Sequence, residues 1–138
     1  MGVVSYDIHA SARRLEAAFP MHTEEGVKDF LEKLYALDEL KYMAGDYDIS
    51  IWIVDLYDAM RVCGLSNQEH RIIYFLYFEG YKQIDLAKLM GIKKNTLNTL
   101  LKRGIKKLAA YYKGLLDLEK EAAKEGIYGR QLARGEYS

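Results

Sequence analysis

The sequence predicts an all-α fold, in which a helical amino-terminal part packs on a carboxyl-terminal helix-turn-helix domain. Half of the 138 residues are apolar or aromatic and only one is proline, a composition that allows one modest core and long, uninterrupted helices. Apolar residues also recur at intervals of three and four along most of the chain, which is the spacing of one helix face. A compact helical protein is therefore expected.

The first two helices are predicted from a proline and an N-cap. Residues 7–19 form a short helix that ends before Pro20, because the proline ring disfavours helical geometry in the residue ahead of it. Thr23 is the expected N-cap of a second helix, whose apolar stripe extends from Val27 to Met43. Gly45 ends this helix.

A third helix is predicted over residues 47–62, with Asp46 or Asp48 as its cap. The run 51–54 is also compatible with a buried strand, but no second strand-like segment is available to pair with it. We therefore favour a helix. Its expected inward positions are Ile49, Trp52, Ile53, Leu56, Tyr57 and Met60.

Capping and glycine signals divide the second half of the chain into three further helices. Ser66 and Glu69 form a capping box that begins a helix over residues 67–78, and Gly80 ends it. A short helix follows over residues 82–90, Gly91 makes the next turn, and the last helix spans residues 94–124 with a break at Gly114. We thus divide the chain into an acidic helical region (1–63), a helix-turn-helix domain (64–125) and a flexible tail (126–138).

The formal net charge is zero, but the charge is distributed unevenly. Residues 81–114 contain nine basic side chains and one acidic side chain, a net charge of +8, whereas residues 23–58 carry a net charge of −7. A basic segment of this kind is typical of a surface that binds nucleic acid, although a solvated helix face is an alternative.

Residues 82–107 have the residue types that a helix-turn-helix requires at fixed steps. Ala87 is small where the two helices approach closely, and Gly91, four residues later, suits a turn that needs positive φ. The expected buried positions are Leu86, Met90, Ile92, Leu97 and Leu100. Residues 94–107 are therefore the predicted recognition helix.

The exposed positions of that helix follow by elimination, and their side chains suit DNA. They are Lys94, Asn95, Thr96, Asn98, Thr99, Lys102 and Arg103. Asparagine can bond an adenine edge with two hydrogen bonds, threonine can contact phosphate or a thymine methyl, and lysine or arginine can neutralise phosphate or read guanine. No acid interrupts residues 88–113, whereas an ordinary polar helix face mixes acids with bases.

The stretch from Leu65 through Ile92, continuing to Arg103 and Leu108, resembles region 4 of sigma-70-type transcription factors over about a third of the chain. It has the Leu-Ser opening of the leading helix, the Tyr-x-Glu-Gly step at its end, and the paired helices of which the second reads the promoter −35 element in that family. The sequence departs from the family at three positions, with Asp85 for Glu, Lys93 for Ser and Gly104 for Ala.

The resemblance implies a division of labour along the recognition helix. The positions that would lie against bases are Lys94, Asn95, Thr96, Asn98 and Thr99. The positions that would lie against phosphates are Lys82, Lys93, Lys102, Arg103, Lys106 and Lys107. The acidic upstream half does not resemble the promoter-melting region of a complete sigma factor. The segments around residues 43–49 and 63–65 instead resemble small sigma-like regulators encoded by phages and prophages.

Catalytic and metal-binding patterns are not found in the sequence. The three histidines lack a paired nucleophile or acid at useful spacing, and Asp55 and Asp58 lack a calcium-loop pattern, so we expect neither an enzyme nor a cofactor.

The lone Cys63 fits a reducing compartment, and no apolar run reaches the length of a membrane span. We expect a cytoplasmic, nucleoid-associated protein.

The sequence therefore predicts a phage- or prophage-encoded transcriptional regulator that binds double-stranded DNA. Two roles stay open for the amino-terminal half: it mediates a homodimer that spans two half-sites, or it docks on RNA polymerase so that one subunit acts alone. Two other functions are compatible with the same fold. One is a protein-docking inhibitor or modulator of host RNA polymerase, and the other is a DNA-recognition subunit for phage genome packaging.

Overall fold

The computed structural model describes residues 8–34, 36 and 46–125, and these residues form six α-helices, one π-helical turn and no β-strand. The helices are α1 (Ile8–Ala18), α2 (Glu24–Leu34), α3 (Asp46–Val62), α4 (Asn67–Ile73), α5 (Gln83–Met90) and α6 (Lys94–Glu125), and the π-helical turn is Tyr74–Phe78. The all-α prediction is confirmed. The strand alternative for residues 51–54 is wrong, because these residues lie inside α3.

Most predicted helix boundaries agree with the structure within one or two residues. The capping box is present: the Glu69 backbone NH donates to Ser66 Oγ at 3.1 Å, and the Ser66 backbone NH donates to Glu69 Oε1 at 2.9 Å. Three expectations differ. The second helix ends at Leu34 instead of continuing to Gly45, and Ala36 is not helical. The helix that begins at the capping box changes to a π-helical turn after Ile73, and α6 continues through Gly114 without a break. The stripe positions from Leu37 to Met43 and the tail at 126–138 lie outside the described residues.

The long helix α6 is the element against which the others pack. It contacts α2, α3, α4 and α5, while α1 packs on α3. One cluster of buried side chains extends from Leu15 in α1 to Ala109 in α6. The amino-terminal helices therefore share a core with the helices of the second half.

Aromatic rings and one buried polar network hold the amino-terminal helices together. The Phe30 ring lies edge-on to Phe19 and Trp52, at centroid distances of 5.3 and 6.3 Å. The Trp52 indole NH donates to the Ser11 carbonyl at 3.0 Å. Because buried polar groups are costly unless they are paired, this hydrogen bond fixes the position of α1 on α3.

A carboxylate joins the same two helices. Asp48 accepts a hydrogen bond from Ser11 Oγ at 2.9 Å, and Arg14 Nε donates to Asp48 Oδ2 at 2.7 Å. The sequence predicts Asp48 as one of two possible helix caps, whereas the structure places it in the first turn of α3 as a link to α1.

The predicted inward face of α3 is wrong at one position. Tyr57 is 37% exposed, and its ring packs on the Phe78 ring at a centroid distance of 4.8 Å. Ala59, which was not predicted to face inward, is buried in the core.

Two helical glycines lie where a side chain would meet neighbouring atoms. A Cβ at Gly26 in α2 would lie 2.0 Å from the Pro20 carbonyl oxygen, so only glycine fits there. A Cβ at Gly104 in α6 would lie 2.9 Å from the Ile73 Cδ1 atom of α4. The Ile73 side chain thus occupies part of the space that a methyl group at Gly104 would need, which offsets part of the roughly 1 kcal/mol that glycine costs in a helix relative to alanine.

None of the described helices is long and apolar enough to cross a membrane.

Candidate nucleic-acid interface

A glycine in the left-handed conformation makes the turn between α5 and α6. Gly91 has φ 69° and ψ 32°. Its backbone NH donates to the Lys88 carbonyl at 3.2 Å, and the Ile92 NH donates to the Ala87 carbonyl at 3.0 Å. These two bonds form a Schellman motif, which satisfies the carbonyls at the end of α5 and redirects the chain into α6. The positive φ expected at Gly91 is confirmed.

The apolar residues of the motif pack the two helices together. Leu86 and Leu97 are fully buried, and Ala87 is 4% exposed. Met90, Ile92 and Leu100 are partly buried against the same core. The helix-turn-helix interpretation of residues 82–107 is confirmed by this geometry.

One face of α6 is left to solvent over its first three to four turns. Seven side chains on this face are exposed and one is half-buried. They are Lys94, Asn95, Thr96, Thr99, Lys102, Arg103 and Lys106, with Asn98 half-buried. At about 100° per residue these positions cover an arc of roughly 200° opposite the buried positions. We call these eight residues the recognition face.

The recognition face is polar near the start of α6 and basic further along. Thr99 Oγ1 donates to the Asn95 carbonyl at 3.0 Å, so its hydroxyl oxygen and methyl group remain available to a ligand. Lys82 lies at the N-cap of α5 and Lys93 just before α6, and both are exposed. Lys93 directly precedes the recognition face in the chain, and Lys82 begins the helix before it.

Lys107 differs from its neighbours because its ammonium group is used inside the fold. It donates to Glu69 Oε1 at 2.7 Å and to the Gly64 carbonyl at 3.2 Å. The Glu69 side chain is only 4% exposed. Burial alone would raise the pKa of the Glu69 carboxyl, but the hydrogen bonds from Lys107 and Ser66 lower that pKa overall.

The ion pair of Lys107 ties α6 to the start of α4. Sequence reasoning placed Lys107 among the phosphate contacts, because it could not show that a buried carboxylate from the capping box lies beside it. The other five cations of that set, Lys82, Lys93, Lys102, Arg103 and Lys106, are exposed. Lys107 is accordingly left out of the phosphate-binding set proposed below.

Potential metal ligands are dispersed. The described residues contain no group of three or more His, Cys, Asp or Glu side chains that could hold a metal ion. Burial raises the pKa of the Cys63 thiol, which disfavours the reactive thiolate at neutral pH.

Part of the chain is similar to a known protein family. Residues 59–108 match the family model described as sigma-70, region 4. The match begins near the end of α3 and covers α4, the π-helical turn, α5 and the part of α6 that carries the recognition face. The helix-turn-helix is therefore similar to sigma-70 region 4, a family of DNA-binding domains associated with transcription. No curated protein and no solved structure matched the chain.

Proposed function

We propose that this chain is a sequence-specific DNA-binding transcriptional regulator that inserts the first turns of α6 into the major groove. The observation that carries the proposal is the recognition face, a polar and basic helix surface that follows a well-formed helix-turn-helix turn. In this arrangement Lys94, Asn95, Thr96, Asn98 and Thr99 contact bases. Lys82, Lys93, Lys102, Arg103 and Lys106 contact phosphates.

The phosphate contacts predict a definite dependence on salt. Five neutralised phosphates give a slope of about −4.5 in a plot of log affinity against log salt concentration. Affinity should therefore fall by about 500-fold between about 50 and 200 mM salt. A much shallower slope would mean that fewer of these cations contact the DNA phosphates.

Base reading is tested by selection from random DNA, followed by affinity measurements on the selected site. Asn95→Ala or Asn98→Ala should each reduce affinity for that site by about 1 to 3 kcal/mol and relax preference at one base pair. Lys106→Ala should weaken all sequences alike. Lys120→Ala is the matched control, because Lys120 is exposed on α6 beyond the recognition face. Equal effects of the asparagine and Lys106 variants on all sequences would contradict the division between bases and phosphates.

RNA polymerase is the second partner that we propose. Sigma-70 region 4 domains bind both DNA and RNA polymerase, and the family match covers the entire helix-turn-helix. The apolar side chains of α2, including Val27, Phe30 and Leu31, are fully buried inside the chain. A dimer built on that stripe would compete with the core, so we favour one subunit acting together with polymerase.

Two measurements test the polymerase proposal. Adding bacterial core RNA polymerase to the protein–DNA complex should produce a larger complex, detected by gel shift. The same polymerase mixed with the DNA in the absence of this protein should not produce that complex. Light scattering should give a monomer for the free protein and one protein per DNA site. A dimer in both states would instead support the dimerisation hypothesis. The phage or prophage origin and a nucleoid location belong to this proposal and rest on the sequence resemblance alone.

A further inference from the structure

Three uncharged polar side chains lie together at the centre of the recognition face. At about 100° per residue, Asn95, Asn98 and Thr99 fall within an arc of about 100°. Asn95 and Thr99 are exposed, and Asn98 is half-buried. They extend along about 6 Å of the helix axis, which is about the rise of two base pairs. Once α6 lies in the major groove, as the proposed function requires, these side chains can reach about two adjacent base pairs.

The amides of the two asparagines are free to bond a ligand. Asn95 accepts from Thr99 through its backbone carbonyl, and neither side-chain amide has a hydrogen-bond partner among the described residues. An amide presents a donor and an acceptor side by side, which match the N7 acceptor and the N6 donor on the major-groove edge of adenine. Guanine presents two acceptors on that edge, so the amide oxygen would face an acceptor. Both asparagines therefore favour adenine.

Thr99 presents mainly its methyl group. Its Oγ1 donates to the Asn95 carbonyl at 3.0 Å, which uses the only hydrogen of the hydroxyl. A ligand can then meet the methyl group and an oxygen that only accepts. A threonine methyl makes an apolar contact with the C5-methyl group of thymine, which distinguishes thymine from cytosine. Thr99 thus suits the partner base of adenine.

The same turn of α6 lacks the side chains that read guanine and cytosine best. Arginine or lysine bonds guanine with two hydrogen bonds, and a carboxylate accepts from the cytosine amino group. Residues 95–99 contain none of these side chains. Arg103 lies about 12 Å beyond Asn95 along the helix axis. Lys94 lies about 100° around the helix from Asn95, close to the direction of the buried Leu101, and so stands at the edge of the recognition face.

We propose that the centre of the DNA site read by α6 consists of two adjacent A·T base pairs, with one adenine bonded by Asn95, the other by Asn98, and a thymine methyl against Thr99. This inference rests on the proposed function and adds to it the identity of the bases. A guanine fits only toward the border of the site, within reach of Lys94.

Selection of random duplex DNA by the full chain, at about 50 mM salt, tests the proposal. The selected sites should share two adjacent A·T pairs. Inosine·cytosine pairs at these two positions then separate base reading from DNA shape, because inosine has the major-groove edge of guanine but lacks its 2-amino group in the minor groove. Each inosine·cytosine pair should reduce affinity by about 5- to 150-fold. The same substitution in flanking A·T pairs should have no effect.

A change of specificity identifies the residue that reads one of these pairs. Asn95→Arg should turn the preference at one central pair from A·T to G·C, because arginine bonds the guanine edge with two hydrogen bonds. Asn95→Ala should only relax the preference there. Lys106→Ala is the matched control, since it should weaken binding and leave the A·T preference unchanged. An unchanged preference in Asn95→Arg would contradict the assignment of Asn95, and misfolding cannot produce a new preference.

Four results separate this inference from the proposed function. A selected centre of G·C pairs would overturn the inference and leave sequence-specific binding by α6 intact. Full affinity for the inosine-containing site would also overturn it, because A·T pairs would then be selected through the minor groove or DNA shape. Salt-dependent binding without any selected sequence would contradict base reading altogether. Absence of binding at about 50 mM salt would contradict the proposed function itself.

Discussion

Two adjacent lysines in α6 should affect different properties when each is replaced by alanine: Lys107 folding stability and Lys106 DNA binding. The Lys107 ammonium donates to the buried Glu69 carboxylate at 2.7 Å, whereas Lys106 is exposed on the recognition face. Lys107→Ala therefore removes an internal contact, and Lys106→Ala removes a proposed phosphate contact. The two changes delete the same side chain at neighbouring positions of one helix, so each variant is the control for the other.

The size of the Lys107 effect follows from the burial of its partner. A hydrogen bond to a charged group contributes about 1.5 to 3 kcal/mol, and the loss is larger when a buried carboxylate stays behind unpaired. The Lys107 side chain is 39% exposed, which reduces the effect, and the Ser66 backbone NH still donates to Glu69. We expect Lys107→Ala to lower the free energy of unfolding by about 2 kcal/mol.

The Lys106 effect should be on DNA alone. Its replacement should change the free energy of unfolding by less than about 0.5 kcal/mol and reduce the magnitude of the salt slope by about 0.9. Urea denaturation followed by circular dichroism measures the first quantity, and fluorescence anisotropy with duplex DNA at several salt concentrations measures the second. A Lys107→Ala variant with unchanged stability and a reduced salt slope would refute the distinction.

Three further predictions concern folding stability. Gly26→Ala should destabilise the protein by about 3 kcal/mol or more in urea denaturation, because the added Cβ meets backbone atoms of Pro20 and overpacking of this kind is costly. Gly114→Ala should stabilise it by about 0.5 to 1 kcal/mol in the same assay, since a Cβ there has no atom within 4 Å; a loss would contradict the continuous helix. Folding lowers the pKa of Glu69 from 4.5. The contribution of its ionised carboxylate to folding stability is therefore fully present above pH 4.5 and is lost as the pH falls through the lower pKa of the folded protein. The stability difference between wild type and Glu69→Gln should therefore narrow in acid, and a constant difference would contradict this account.

The helix-turn-helix could be predicted from the sequence because its signals are local. Gly91 follows Ala87 by four residues, the buried leucines keep helical spacing, and the Ser66–Glu69 capping box lies within four residues of sequence. Each of these features depends on neighbours along the chain, so composition and spacing were sufficient to place α4, α5 and the start of α6.

The features that sequence reasoning missed depend on contacts between distant segments. Lys107 and Glu69 are 38 residues apart in sequence, and no spacing rule predicts that their side chains meet. Gly104 departs from the alanine of the sigma region 4 family, and the sequence gives no reason for it, because the neighbouring Ile73 side chain is 31 residues away in the chain. Asp48 likewise resembled a helix cap, and only the packing of α1 on α3 brings Arg14 to it.

Binding of the wild-type protein to a random pool of duplex DNA at about 50 mM salt tests the central claim most directly. Five exposed cations should neutralise enough phosphates to give measurable nonspecific affinity, with a Kd below about 100 µM at this salt concentration. Binding should weaken steeply as salt is added, and the combined replacement of Lys102, Arg103 and Lys106 by alanine should abolish it. No detectable binding at about 50 mM salt, from a protein shown to be folded, would contradict DNA recognition by α6.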